Sequence, residues 1–366
     1  MSLFDHLNLV KENRSHINQH HNLVDVMFLV LSAISSGSEG WQDIERFGEL
    51  KLDWLRQYRP FKHGIPRRHT IARIVGSVDC QSLILALLSW VNQQRKQTEQ
   101  SIIALDGKTL RGSYNKNPSE ALHSVSAYDV ENGLLIFQKM AEGKGCEISA
   151  VRDVLDVLDI SDAVITLDAL HCQRDTLQAL THRSADYVIQ VKANQKLLSK
   201  AVKEQFAHAF IDDSKIAQCE SSDNTHGRKE TRTVFQIDAA LPPELAEKWP
   251  SVKTLIAVER DRNNTIDTKY YLSSLEINPK LAAKCVREHW AIENSLHWVL
   301  DVVYKEDRCR VTEKVAAENL AMFRRVALNL AKQETSIKDS MRGKLVRASF
   351  SDDYRSTLFF GTVKSN

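Results

Sequence analysis

No pair of cysteines forms a motif in this chain. Cys80, Cys146, Cys172, Cys219, Cys285 and Cys309 stand singly, with no Cys-x-x-Cys, which argues against a zinc ribbon and against a secreted disulfide framework. Long apolar runs are also missing. The longest, "LVDVMFLVLSAI" from Leu23, is broken by Asp25 and too short to span a bilayer. The opening "MSLFDHLNLVKENRS" lacks the uninterrupted apolar core of a signal peptide. Nor is there a strong charge of one sign. The 49 Lys and Arg against 47 Asp and Glu leave +2, so any nucleic-acid binding must come from local patches. Internal repeats and low-complexity segments are absent. The triplet Gly107-Lys108-Thr109 is not a phosphate loop, because Ile102 stands where that motif needs glycine, and no His-Glu-x-x-His spacing occurs. What remains is a reduced, cytoplasmic protein with no membrane segment. At 366 residues it has room for two domains, or for one with a large insertion.

Residues 1–98 read as helical. Leu23, Val26, Met27, Val30 and Leu31 recur at helical spacing, and "WQDIERFGE" and "HTIARIVGSV" suggest further amphipathic helices. "FKHGIPRRH" reads as a connecting turn. From Lys51 to Arg73 seven Lys/Arg face one Asp; a solvated helix face would explain such a segment on its own. After residue 98 strands take over. "IIALD" precedes "LHSVSAYDVENGLLIFQKM", whose Asn132-Gly133 pair marks a hairpin. "AVITLDALH" and "DYVIQVKANQ" are further strands, each followed by a helical pattern, and residues 216–275 are β-rich again before a helix near Pro279. Three strands followed by alternating helices and strands describe an α/β fold, a mixed sheet flanked by helices.

Two of these strands end in an acid: "IIALD" in Asp106 and "AVITLD" in Asp168. As parallel neighbours they would lie about 4.8 Å apart, close enough for both carboxylates to reach one hard cation of the Mg²⁺ type. A hairpin turn at Asp106-Gly107 and a helix cap at Asp168 are the ordinary alternatives. A third acid is offered by the segment "LAAKCVREHWAIENSLHWVLDVVYKED", which holds Glu288, Glu293, Asp301, Glu306 and Asp307. There His289, Glu293 and His297 fall on one helical face, and Trp290 and Trp298 read as core residues.

Taken together, "ALDGKTLRGS", "ITLDALHCQ", "VIQVKANQ", "HGRKETR" and "HWAIENSLHWVLDVVYKED" resemble, in order and spacing, the signatures of the H-repeat-associated (ISAs-type) transposases of bacterial insertion sequences. The resemblance covers nearly the whole chain. It implies an RNase H-like catalytic domain over residues 99–335 with a β-rich insertion at about 216–275. It also implies a helical DNA-end-binding domain over 1–98, and the chain then closes on a basic tail over 336–366. The implied Asp-Asp-Glu triad is Asp106, Asp168 and Glu293, holding two Mg²⁺ ions, with Mn²⁺ an acceptable substitute. The reaction implied is hydrolysis at transposon ends followed by strand transfer into target DNA.

The partners expected on this basis are double-stranded DNA and a second copy of the chain, in the nucleoid and with no nucleotide cofactor. The expected DNA contacts are Lys192, Asn194 and Gln195 of the Lys-x-Asn-Gln motif and Arg228 and Arg232 of the insertion. Beside them stand Lys108, Arg111, Arg67, Arg68, His289, Asn294 and His297, with a further patch from Arg324 to Arg347 that carries seven Lys/Arg against two acids. Related transposases carry Tyr, Arg and Lys where this chain has Val286, His289 and Leu300, so their hairpin-forming chemistry is not carried over. A nuclease that cuts without transposing, or a silent DNA-binding remnant, are the alternatives.

Overall fold

The computed structural model describes residues 1–361 apart from 16, 18, 94, 96–99, 115–116, 142–145, 213–215, 226–227 and 263–264. The N-terminal part is helical: α1 (Leu3–Leu7), α2 (Leu23–Ser35), α3 (Trp41–Leu50), α4 (Leu52–Arg56), α5 (Arg68–Gly76) and α6 (Cys80–Val91). Their starts follow ordinary capping chemistry. Asn22 accepts from the backbone N–H groups of Val24 and Asp25 at the head of α2, and Asp79 accepts from Ser82 N–H at the head of α6. Asp25, the acid that interrupts the apolar run, is buried. It accepts from Arg59 Nε at 2.9 Å and from Phe61 N–H at 3.1 Å, so it ties α2 to the turn beyond α4.

The strands come next: β1 (Ile102–Thr109), β2 (His123–Asp129), β3 (Leu134–Ala141), then α7 (Glu147–Val157), β4 (Val164–Leu167), α8 (Arg174–His182), β5 (Asp186–Val191) and α9 (Lys196–Ala209). The β-rich segment gives β6 (Ala217–Thr225), β7 (Arg228–Asp238), a short α10 (Pro243–Lys248), β8 (Thr254–Arg262) and β9 (Thr265–Ser273). Among the described residues all nine strands form one mixed sheet, in the order β3-β2-β1-β4-β5-β9-β8-β7-β6. β1, β4 and β5 are parallel to one another, and β9 returns antiparallel on β5. The expected hairpin is present, with Gly133 at φ +67° where a residue with a Cβ would be strained.

After the sheet come α11 (Pro279–His289), a turn of π-helix over Glu293–His297, α12 (Trp298–Val302) and the 20-residue α13 (Lys314–Gln333). α13 packs on α2, α5, α6 and β3, and one apolar core runs from the N-terminal helices into the sheet.

Two expectations change. Residues 341–360 are not a free basic tail: they form α14 (Met341–Phe350) and α15 (Asp352–Phe360). Trp54 Nε1 and Tyr58 OH both donate to Ser356 Oγ, which docks α15 on α4. Several cations of the Arg324–Arg347 patch are likewise internal. Arg324, Arg325 and Lys344 are buried, with Arg324 donating to Glu39 O at 2.9 Å and Lys344 to Ala331 O at 2.7 Å.

Candidate active site

Four apolar residues, Ile102 to Leu105, carry β1 through the core, and Asp106 stands after them at the edge of burial. The strand does not end there. It continues to Thr109 on β2, with Asp106 opposite Ser126 and Thr109 opposite His123, so Asp106-Gly107 is not a turn. On the other side β4 pairs only with Ile102, Ile103 and Ala104, which face Val164, Ile165 and Thr166. Carried on at the same offset, that register sets Asp106 level with Asp168. Asp168 stands just past β4 and does act as a cap. It accepts from Leu170 N–H at 3.0 Å at the head of a single 3₁₀ turn, Ala169–His171.

The five acids of the third-acid segment sort by their partners. Asp301 accepts from Lys108 Nζ at 2.6 and 2.7 Å, Glu306 pairs with Arg325 at 2.6 Å, and Asp307 lies 3.7 Å from Arg111. Glu288 has Lys284 and Arg287 near it. Neither Glu288 nor Glu293 has an ion pair among the described residues, but of the two only Glu293 has its charge act on Asp106. It opens the π-helical turn, a widened form of helix that is frequent at functional sites.

The electrostatics of the cluster are one-sided. Burial pushes the Asp106 carboxyl up to about 7. A hydrogen bond from the Gly107 backbone opposes this, and the charges of Asp168, Glu293 and Glu147 add to the upward push. No arginine or lysine is ion-paired to any of these four acids among the described residues; Asp106, Asp168 and Glu147 have imidazoles beside them. His297 Nδ1 lies 3.4 Å from Asp106 Oδ2, and His171 Nε2 lies 3.8 Å from Asp168 Oδ1. Burial holds His297 down to about 3, helped by Arg325 and Lys108, and lowers His171 as well. Both shifts favour the uncharged ring, so burial works against these two imidazoles offsetting the negative charge. His171 Nδ1 and His297 Nε2 are buried with no hydrogen-bond partner.

A donor set of carboxylate oxygens with uncompensated charge suits a hard divalent cation. The surrounding orphaned nitrogens show polar capacity that the protein itself does not use. The acids are not drawn into a tight cage: no group of three His, Cys, Asp or Glu side chains among the described residues is assembled closely enough to hold a metal.

The expected DNA contacts divide into three groups. Arg67, Arg68, Arg111, Lys192 and Asn294 are exposed, although Arg67 is shared with Glu45 and Glu49. Asn194 and Gln195 have already spent a donor inside the protein. Asn194 Nδ2 donates to Ala169 O at 2.6 Å and Gln195 Nε2 to Cys172 O at 2.9 Å, which braces the turn that carries Asp168. Lys108, His289 and His297 turn inward. Lys108 is only 8% exposed, and His289, whose Nδ1 lies 3.0 Å from Thr166 Oγ1, is held down to about 4 by burial. In the insertion Arg232 is paired with Glu230, while the side chain of Arg228 lies outside the described residues. Trp290 and Trp298 were expected in the core but are 40% and 57% exposed, flanking Glu293. Sequence reasoning missed Glu147, His123 and His171, which no strand-then-acid pattern marks.

Gly112 locks this region together. A Cβ there would stand 1.8 Å from the carbonyl oxygen of Cys309, a backbone atom that cannot swing aside. Gly112→Ala is expected to cost more than about 2 kcal/mol, as overpacking against a fixed wall does. Thermal denaturation would show this, and an unchanged Tm would mean that the β1–β2 connection does not press on that turn.

Residues 97–330 match the family described as "Transposase DDE domain", and residues 4–91 match "DDE_Tnp_1-associated". "Putative transposase YncI" of Escherichia coli O157:H7 is 35% identical over 364 residues, covering 96% of this chain and 93% of that one. "H repeat-associated putative transposase YhhI" of Escherichia coli strain K12 is 33% identical over 372 residues, covering 98% of each. A solved piggyBac transposase synaptic complex with hairpin DNA aligns with 98% of this chain and 76% of that chain, at TM-score 0.44 and 11% identity, too remote a likeness to carry more. On its family match and full-length relatives, the chain belongs to the DDE transposases, among the H-repeat-associated members.

Proposed function

We propose that this transposase cuts the ends of its insertion sequence and joins them to target DNA at a site formed by Asp106, Asp168 and Glu293. The observation that carries the reading is the register of β1 on β4. Continued by two residues, that register would set Asp106 and Asp168 level on neighbouring parallel strands, while Glu293, which has no ion pair among the described residues, adds its charge to Asp106. The three carboxylates would hold two Mg²⁺ ions, or Mn²⁺ in their place. Bound there, such ions supply activation of the attacking oxygen and stabilisation of charge on the leaving oxygen in an in-line displacement at phosphorus.

The protein's own residues do the rest. Asp106 must be ionised to serve, and its raised pKa means that it shares a proton near neutral pH until positive charge arrives. His297 and His171, packed behind the acids and favoured by burial in the uncharged form, fill space there. Asn194 and Gln195 act on DNA indirectly, by fixing the turn below Asp168. Exposed Arg67, Arg68, Arg111, Lys192 and Asn294 are the residues left to meet phosphates, and such binding falls steeply with salt.

The parts read as an RNase H-like core over 99–335 with β6–β9 as an insertion, and a helical end-binding region over 1–98. Two chains acting on a pair of DNA ends is the expected assembly. The test is cleavage, in Mg²⁺, of a duplex carrying the element's own end. Wild type should cut at the end, and Glu293→Gln should bind but not cut. Binding without cutting by the wild type would overturn the proposal, and cutting by the mutant would remove Glu293 from the triad.

A further inference from the structure

We infer that a cleft between the N-terminal helices and the link from α12 to α13 is a DNA-backbone site, which holds a duplex by its phosphates. The inference rests on the DNA reading proposed above. The cleft has a volume of about 750 Å³. One wall is the head of α3 together with α5, and carries Trp41 and Arg73. The other is the link, with Lys305, Arg308 and Arg310, which runs on to Ala316 of α13. The two walls are held in a fixed relation. α5 packs on both α3 and α13, and Arg324 of α13 donates to the carbonyl of Glu39, just before α3, at 2.9 Å.

Charge is what marks the cleft. Arg73, Arg308 and Arg310 are exposed and Lys305 is half-buried, and none of the four has an ion pair among the described residues. Arg67, at the start of the same α5, shows the ordinary case, shared between Glu45 and Glu49. Two acids also line the cleft, Glu39 and Glu313. Glu313 is already spent as the cap of α13, where its oxygens accept from Val315 N–H at 3.1 Å and Ala316 N–H at 2.6 Å. Positive charge is therefore in excess. Lys305 also stands in the left-handed region, at φ +55°, where glycine would be unstrained. A lysine held there puts a cation on the wall at the cost of some strain.

The occupant that fits is the sugar–phosphate backbone of DNA. A small ligand is gripped by polar groups that converge inside a pocket. Here three of the cations stand exposed at the rim, while Trp41, Ala72, Val311 and Ala316 give the floor no charge. Such an arrangement meets a row of phosphates with its rim and sugar edges with its floor, and reads no base. The cleft is also tied to the catalytic strand. Asp307 of the link lies 3.7 Å from Arg111, and a Cβ on Gly112 would stand 1.8 Å from the carbonyl oxygen of Cys309. DNA resting in the cleft would be held against the connection that leaves β1, a short way beyond Asp106.

The test is binding of the full-length protein to a fluorescent duplex carrying the element's own end, read by anisotropy over a salt series, in chelator so that nothing is cut. Arg308→Gln, Arg310→Gln and, on the facing wall, Arg73→Gln should each lower the slope of log affinity against log salt by about one. Lys305→Gln combined with Arg308→Gln and Arg310→Gln should weaken binding by about 30-fold or more at roughly 0.1 M salt. The loss should be the same on a scrambled duplex of equal length, because a backbone contact carries no sequence. Melting should stay at the wild-type value, since no ion pair is broken. Lys253→Gln, which removes an exposed lysine paired with Glu276, is the control for lost charge and should bind as wild type does. Wild-type affinity and slope in the triple variant, or an equal loss in Lys253→Gln, would overturn the cleft and leave the proposed function in place. A loss confined to the element's own sequence would overturn the backbone contact. Failure of the wild type to bind any duplex would bring down the proposed function itself.

Discussion

Asp106→Asn is expected to abolish strand cleavage and at the same time to stabilise the metal-free protein above neutral pH. The first effect comes from removing a carboxylate that would meet the cations, and a loss on the order of 10³-fold is the scale for one such group. The second comes from the position of the carboxyl, pushed from 3.8 to about 7 by burial and three neighbouring acids. Between those values the unfolded chain has already released a proton that the folded chain still holds. Stability therefore falls as pH rises through this window, and the full penalty is present above pH 7. An amide carries no such penalty. In chelator at pH 8 the variant should be more stable than wild type by on the order of 1–3 kcal/mol, and the two should converge near pH 4. Denaturant unfolding at the two pH values measures this. Equal stability at both would mean that Asp106 is not under charge pressure from Asp168, Glu293 and Glu147.

Lys108→Met should unfold the protein more readily rather than simply weaken DNA binding. From the sequence alone this lysine belongs with the DNA contacts, since it comes after Asp106-Gly107 in a cluster of cations. In the fold it is buried and holds Asp301 through both carboxylate oxygens, with Glu306 at 4.0 Å and Asp307 at 3.8 Å. Removing one partner of a buried pair leaves charge with nothing to offset it, typically at a cost of about 3–5 kcal/mol. Asp301 is partly open to water and Glu306 keeps Arg325, so about 2–4 kcal/mol is expected here. The pair also joins the strand of Asp106 to α12, which continues from the turn of Glu293, so cleavage should fall with stability. Asp301→Asn combined with Lys108→Met should recover part of the lost stability. If the single variant melts like wild type and loses only DNA affinity, the inward placement of Lys108 is wrong.

Much of this was legible in the sequence. The apolar run into Asp106, the Asn-Gly hairpin, the strand into Asp168 and the helical first quarter all read correctly, because each rests on local patterning. What stayed hidden depends on residues far apart in the chain. That β1 continues past Asp106 is decided by pairing with β2, against the turn preference of Asp-Gly. Glu147 sits at a helix start, where an acid needs no special explanation, and only the return of the hairpin sets it against Gly107 of β1. The cations of α13 and α14 count as positive charge in the sequence, yet in the fold Arg324, Arg325 and Lys344 have partners inside the protein. Trp290 and Trp298 show the reverse case: large apolar side chains that local pattern assigns to the core, held outside by the acid turn they flank.

The strand order has a consequence for how copies of this chain can associate. β3, at one margin of the sheet, is packed by α6, α7 and α13, and β6, at the other, by α11; among the described residues β6 pairs only with β7. A nine-residue border strand with one side of its backbone unpaired is a ready template for another chain. This one carries Glu220, Ser221, Ser222 and Asp223 rather than apolar residues. Two copies zipped edge to edge would crowd these carboxylates together, so the border resists open-ended stacking into fibres.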